Sequence, residues 1–361
     1  MSRPLLGALT SLVLVACTNV VLDEVPGAPG DRKNFADGGV CAANFADCNG
    51  DPSDGCEVDL QSDGAHCGSC ERSCLGEACS AGGCSPVVLI QAVAFGRRLA
   101  LDATSVYFTS VDGGGTVNKV GLDGGPVSTL ASGQDDVYDI AVDPSGIYWT
   151  CITGSAVRTL PAGGSLPKDL ATDGTPFAIQ IQTGTVYFTQ IYNKLSDSEH
   201  VLHVPGAGGP EDVIAATPSA LFLAVDLESA YWTDPTTGAL WQAPLAGGKP
   251  TELASALVSP SELVVDGEAV FFNTLEGTFT VPRTGGSVTP LAWGASRGLA
   301  VDATHVYFGT YDGLILRVPR NGGPAVTLAR TDTYPNDLAV DAARVYWLEG
   351  QQYGSLRATA R

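Results

Sequence analysis

The sequence has little of what most catalytic and nucleic-acid-binding sites draw on. It carries four histidines and one methionine in 361 residues, and only 16% of the chain is charged. His66, His200, His203 and His305 lack the HExxH spacing of a zinc protease, and no phosphate-binding loop is present. Basic residues are scarce, with 19 Lys and Arg against 39 Asp and Glu, for a net charge of −20. The deficit runs along the whole chain: residues 1–85 hold 4 basic and 12 acidic residues, and residues 86–361 hold 15 and 27. Such a surface repels phosphate backbones, which argues against a nucleic-acid partner and leaves cations, glycans, peptides and proteins. Long amphipathic helical patterns are also lacking. What is abundant is glycine (44) and proline (22), a balance suited to many short strands joined by tight turns.

Residues 1–17 read MSRPLLGALTSLVLVAC, with one basic residue, Arg3, ahead of an apolar run from Leu5 to Ala16. The run is too short to span a bilayer comfortably and has the proportions of a secretory signal. Leu14-Val15-Ala16-Cys17 resembles the lipobox of bacterial lipoproteins. That resemblance implies lipidation of Cys17, which becomes the mature N-terminus and attaches the chain to a membrane through its acyl chains. Thr18 follows rather than Asp, which implies an outer-membrane or cell-surface address. Residues 18–40, rich in Pro, Gly and charge, read as a flexible tether.

Eight of the ten cysteines fall within residues 41–85: Cys41, Cys48, Cys56, Cys67, Cys70, Cys74, Cys79 and Cys84. An even number in a short stretch of an exported chain reads as a disulfide-rich module, with four bridges in place of a hydrophobic core and a pairing that sequence leaves open. Two sharper readings compete. His66-Cys67-Gly68-Ser69-Cys70 holds a CxxC beside a histidine, a pattern for zinc or redox chemistry. Asp47-Cys48-Asn49-Gly50-Asp51 has the alternating oxygens that begin a calcium loop, with Asp54 or Glu57 as further ligands, although Pro52 and Val58 stand where an EF-hand needs Gly and Glu. Turn chemistry is the simpler role for these acids. The segment is also similar to cysteine-rich stretches of other bacterial surface lipoproteins, a likeness that implies location rather than activity.

Residues 86–361 repeat. Two adjacent aromatics recur at Tyr107-Phe108, Tyr148-Trp149, Tyr187-Phe188, Tyr231-Trp232, Phe271-Phe272, Tyr307-Phe308 and Tyr346-Trp347. Five residues before the first of each pair stands Asp102, Asp143, Asp226, Asp266, Asp302 or Asp341, with Gln182 the exception. Six of the seven are followed by a Gly-Gly turn. A unit of about 40 residues with four strands is a propeller blade. The seventh repeat lacks a fourth strand, and Pro86-Val87-Val88-Leu89-Ile90-Gln91 stands ahead of the first repeat as the missing piece. The expectation is therefore an all-β chain: a seven-bladed β-propeller closed by an N-terminal strand, with six blades as the alternative. Tyr231-Trp232-Thr233-Asp234 spells YWTD, and the region resembles YWTD-type and TolB-like propellers, which are usually six-bladed. Aromatics are expected to pack between blades, and the recurring Asp to hold the first turn of each.

Propeller ligands sit over the channel mouth. Nine residues before each repeat aromatic, where the chain enters the innermost strand, stand Arg98, Asp139, Ala178, Phe222, Glu262, Gly298 and Asp337. Three carboxylates sharing a repeat position could hold calcium or a cationic ligand group, or could be solvated or paired with Arg98. Arg98, Asp139, Glu262 and Asp337 are the mouth candidates, and the three acids are the metal candidates. His200 and His203 belong to the one long insertion, Gln190 to His200, where an H-x-x-H pair could hold a metal but exposed loop histidines are the simpler reading, and Cys151 is a lone buried thiol. No other cofactor is suggested. The functional expectation is a noncatalytic binding scaffold for an envelope or extracellular protein, peptide or glycan. Its rivals are a metal-dependent propeller hydrolase, lactonase or lyase and an envelope assembly factor.

Overall fold

The computed structural model describes residues 40–191, 199–217, 219–350 and 352–361. Cys17, the signal and nearly all of the tether lie outside the described residues. No helix among the described residues is long and apolar enough to cross a membrane.

Residues 87–361 form seven four-stranded antiparallel sheets. Blade 1 is typical, with strands Gly96–Leu101, Ser105–Ser110, Thr116–Gly121 and Gly124–Ser132 ordered from the channel outward. The second strand of each blade is covered on both faces by its neighbours, so it reads as a nearly continuous apolar run; Ser105–Ser110 and Ser229–Asp234 are buried throughout. The fourth strand is the rim, and that of blade 1 is mostly exposed.

The core is divided among the blade junctions. Tyr107 packs with Trp149 between blades 1 and 2, Tyr148 with Phe188 between blades 2 and 3, and Tyr187 with Trp232 between blades 3 and 4. Tyr231 and Phe272, Phe271 and Phe308, and Tyr307 and Trp347 continue the series. Tyr346 of blade 7 returns to Phe108 of blade 1, so the ring closes. This settles seven blades over six, and a closed ring over a stacked solenoid. Closure is made by Val87–Val93, which pairs antiparallel with Gly354–Ala360 as the outer strand of blade 7, in the register Leu356 to Ile90 and Ala358 to Val87. Leu89 and Val93 enter the junction between blades 7 and 1.

The recurring Asp holds the first turn in five blades, at Asp102, Asp143, Asp226, Asp302 and Asp341. Asp302 Oδ1 accepts the Thr304 and His305 amides at 2.7 and 2.8 Å, and its Oδ2 accepts the Tyr307 hydroxyl at 2.7 Å. The same tyrosine bond recurs at Asp102, Asp226 and Asp341. Burial works to raise the Asp302 pKa, but the bonds from Tyr307, Thr304 and His305 outweigh it and hold it at about 2. Blade 5 has Phe271 in place of tyrosine, and there Asp266 pairs with Arg320 at 2.6 Å instead. Gly309 replaces the threonine that follows the aromatics in blades 1 to 4 because a Cβ there would meet Pro335 Cγ at 2.0 Å.

The cysteine segment forms four bridges, Cys41–Cys56, Cys48–Cys70, Cys67–Cys79 and Cys74–Cys84. The two cysteines of the CxxC therefore pair elsewhere, which removes the redox and zinc readings. Cys67, Cys74 and Cys84 are the one group of three or more potential ligands gathered closely enough for a metal among the described residues, and all three are in disulfides. The calcium-loop oxygens serve the chain: Asp47 Oδ1 accepts Gly50 N, Asn49 Oδ1 accepts Asp51 N, and Glu57 Oε1 accepts Cys48 N and Asn49 N. The module is docked on the propeller by Arg72, only 4% exposed, which donates to the carbonyls of Leu328 and Ala360 at 3.5 and 3.3 Å. Burial and the nearby Arg317 lower the Arg72 pKa to about 10.

Candidate functional site, the channel mouth

The innermost strands of the seven blades touch in a ring, each contacting the next. The loops leading into these strands, and the loops between second and third strands, share one end of the channel. In blades 1 to 3 a threonine after the aromatic pair sets their spacing, whereas the hydroxyl of Thr233 in blade 4 is buried without a hydrogen-bond partner. Thr109 Oγ1 accepts the Arg98 amide at 3.1 Å and donates to the carbonyl of Tyr138 in the next blade at 2.8 Å. Thr150 does the same for Asp139 and Phe177, and Thr189 for Ala178 and Leu221. Asn273 takes over in blade 5, donating to Gly298 O at 3.2 Å. Sequence reasoning missed this stitch, although its signal is plain: a hydroxyl recurring after two aromatics inside an otherwise apolar strand.

Two of the three carboxylates are latches between blades. Asp139 Oδ2 accepts the Ile179 amide of blade 3 at 2.9 Å, and Asp337 Oδ2 accepts the Leu99 amide of blade 1 at 2.9 Å. The shared repeat position thus has a shared backbone role, and Asp337 performs it at the junction that closes the ring.

Arg98 crosses the channel. Its Nη1 lies 3.3 Å from Glu262 Oε1 of blade 5 and 3.5 Å from Asp337 Oδ1 of blade 7, and its Nη2 donates to the Tyr138 hydroxyl at 3.2 Å. The guanidinium carbon also lies 4.9 Å from the Phe222 ring centre and 5.3 Å from that of Tyr138, distances at which a ring face attracts a cation. Burial works against the charge, and Tyr138, Asp337, Glu262 and Asp139 together outweigh it, so Arg98 stays protonated. The structure brings all four mouth candidates into one cavity of about 160 Å³. The three acids do not gather their oxygens within ligand distance of one another, and the cation that Glu262 and Asp337 hold is Arg98 itself. Glu262 Oε2 is buried without a hydrogen-bond partner.

Burial raises the Asp139 pKa to about 6 against the opposing effects of Arg98 and the Ile179 amide, and burial likewise raises that of Asp337. An unfolded Asp titrates near 3.9. Between about pH 4 and 6 the folded chain therefore holds a proton at Asp139 that the unfolded chain has lost, and stability falls as pH rises through that window, by roughly 2 to 3 kcal/mol. Urea midpoints of the parent and Asp139→Asn are expected to converge below pH 4 and separate above pH 6 in favour of the variant, offset by its loss of one amide acceptor. A difference that stays constant from pH 4 to 7 contradicts this assignment.

Arg98 also floors a second, outer cavity of about 370 Å³, whose walls include Phe95, Arg97, Tyr138, Arg297 and Tyr334. None of its lining residues is acidic, against a chain with twice as many acids as bases. Phe95 is 47% exposed at its edge.

Other candidates fall away. His200 and His203 lie on the strand Glu199–Pro205 rather than in a loop, three residues apart and hence on opposite faces, so they do not chelate one metal together. Cys151 is a buried free thiol, and burial raises its pKa to about 11. Gly294-Ala295-Ser296-Arg297-Gly298 spells the G-x-S-x-G of a nucleophile elbow, so the expectation that the chain has no such motif was wrong. Ser296 is nevertheless 3% exposed on a propeller strand, its hydroxyl bonded to Asn273 Oδ1 and Thr278 Oγ1 at 3.0 Å each and to no histidine.

No protein family and no curated protein matches the sequence. Among solved structures, a nidogen/laminin complex is similar at 20% identity over 52% of this chain and 76% of that one, with a TM-score of 0.46. A computationally designed protein, Ika8, is similar at 13% identity over 76% of this chain and 98% of that one, with a TM-score of 0.58. The likeness to the designed protein is one of fold.

Proposed function

We propose that the chain is a noncatalytic binding scaffold of the cell envelope, exported and lipid-anchored through Cys17, which offers the mouth of its propeller to an envelope or extracellular protein, peptide or glycan. The observation that carries the reading is the outer mouth cavity, open to solvent and walled by aromatic and guanidinium groups on a rigid ring. The carboxylates that a metal-dependent hydrolase, lactonase or lyase would use are occupied as interblade latches and as partners of Arg98. Four disulfides suit an oxidising compartment outside the cytoplasm.

Peptide and glycan arrays test the binding half. Ligands retained by the parent are expected to be lost with Tyr334→Asp in the mouth and kept with Leu227→Asp, an exposed residue in a first-turn hairpin at the opposite end of the channel. The reverse pattern overturns the mouth assignment. For the anchor, labelled palmitate is expected in the parent and absent from Cys17→Ser; equal labelling removes Cys17 as the lipid site, and no label in the parent removes the lipid.

A further inference from the structure

The outer cavity contains three arginines, and their charges are not equally engaged. Arg98 is held from below by Glu262 and Asp337. Arg97 reaches Asp136 at 3.2 Å, a pair in which both side chains are about one third exposed. Arg297 has no acidic group within ion-pair distance among the described residues. Its one close partner is a ring: the guanidinium carbon lies 5.6 Å from the centre of Tyr334 in the next blade. Arg97 repeats that arrangement, 5.6 Å from the ring centre of Tyr138 in the blade after its own. Two half-buried arginines thus line one cavity, each beside a tyrosine of the following blade.

A guanidinium is donor-only and planar, and its fork matches the two oxygens of a carboxylate. Packing against an aromatic face fixes the fork without using its donors. Phe95, Tyr138 and Tyr334 supply flat apolar walls, and the volume of about 370 Å³ is at the small end of ligand sites, enough for one ring and its substituents.

Resting on the reading of the mouth as the binding face, we infer that this cavity is an anion site that takes a carboxylate borne on a single flat or sugar ring, with Arg297 as the principal donor, Arg97 assisting, and the tyrosines against the ring. The site discriminates by charge, because a neutral ring leaves the Arg297 donors unmatched.

The test is calorimetric titration of the full chain with two acid and neutral pairs, benzoate with benzamide and glucuronate with glucose. At least one acid is expected to bind about tenfold or more tightly than its neutral counterpart, and which acid does so identifies the ring. Arg297→Gln is expected to abolish that preference and Arg297→Lys to restore it in part, while Leu227→Asp at the opposite end of the channel leaves it in place. Arg297 is half-buried and holds no ion pair, so melting temperatures of its variants should match the parent and exclude a folding effect. Equal affinity for acid and neutral partners, no binding of either acid at millimolar concentration, or a preference that survives Arg297→Gln overturns the inference. Array ligands lost with Tyr334→Asp but indifferent to Arg297→Gln would overturn the carboxylate class while leaving the mouth as the binding face. Array ligands indifferent to both variants would remove the mouth reading itself.

Discussion

A chain that begins at Ala94 is expected to be strongly destabilised or insoluble, whereas one that begins at Ser85 keeps a stable cooperative fold. The two truncations both remove the disulfide module and differ by the strand Val87–Val93. That strand places Leu89 (8% exposed) and Val93 (3% exposed) in the junction of blades 7 and 1 and covers the edge of Gly354–Ala360. Two buried aliphatic side chains are worth about 1.5 to 3 kcal/mol each, and the ladder bonds add to them. A loss of about 5 kcal/mol or more approaches the whole stability of many domains. Removing the module alone is expected to cost less, since no strand of it completes a blade and its hold on the propeller includes the Arg72 bonds, the Thr359 hydroxyl on the Cys84 carbonyl and the packing of its cysteines on Ala360. Thermal unfolding followed by circular dichroism should show one sharp transition for the Ser85 start. For the Ala94 start it should show a fall of roughly 10 to 20 °C or insolubility. Equal transitions would mean that the ring does not depend on its closing strand.

Arg98→Met is the second large expectation. It leaves Glu262 and Asp337 facing each other in the channel, with Asp139 nearby, and no buried cation. Breaking a buried pair from one side costs about 3 to 5 kcal/mol. The cost carries a pH signature. Without Arg98 the folded-state pKa values of Asp139 and Asp337, already raised by burial, rise further above their unfolded values. The penalty is therefore full above the folded pKa values and shrinks as pH falls toward the unfolded ones near 4. Urea unfolding at pH 8 and pH 5 should show a clearly larger deficit at pH 8, and adding Glu262→Gln and Asp337→Asn should recover much of it. A deficit equal at both pH values would assign the loss to the cation–ring contacts with Phe222 and Tyr138 instead.

The architecture was legible because a blade is a local unit. Tyr107-Phe108 and its six counterparts recur at one period since each pair fills the same kind of junction, and the orphan strand before the first repeat had one place to go. The acids Asp102, Asp226, Asp302 and Asp341 were legible for the same reason, as their partners lie within five residues. The disulfide pairing was not, because it depends on where Cys48 and Cys70 meet after the segment has folded. The mouth fell between these cases. Repeat position placed Arg98, Asp139, Glu262 and Asp337 on one ring, but it could not choose between a metal and Arg98 as their cation. That choice depends on which residues span the channel, and Arg98 meets Glu262 164 residues away and four blades on. Arg97, Arg297 and Tyr334 were missed because they lie one or more positions off the repeat register that drew attention to their neighbours.

The claim that the mouth is the binding face is tested most directly by hydrogen exchange on the full chain with a ligand recovered from the arrays. Protection is expected in peptides covering 95–98, 136–138 and 334–336, and not in the hairpins at 226–228 and 302–304 on the opposite end. Protection confined to those hairpins, or to the disulfide module, would contradict it.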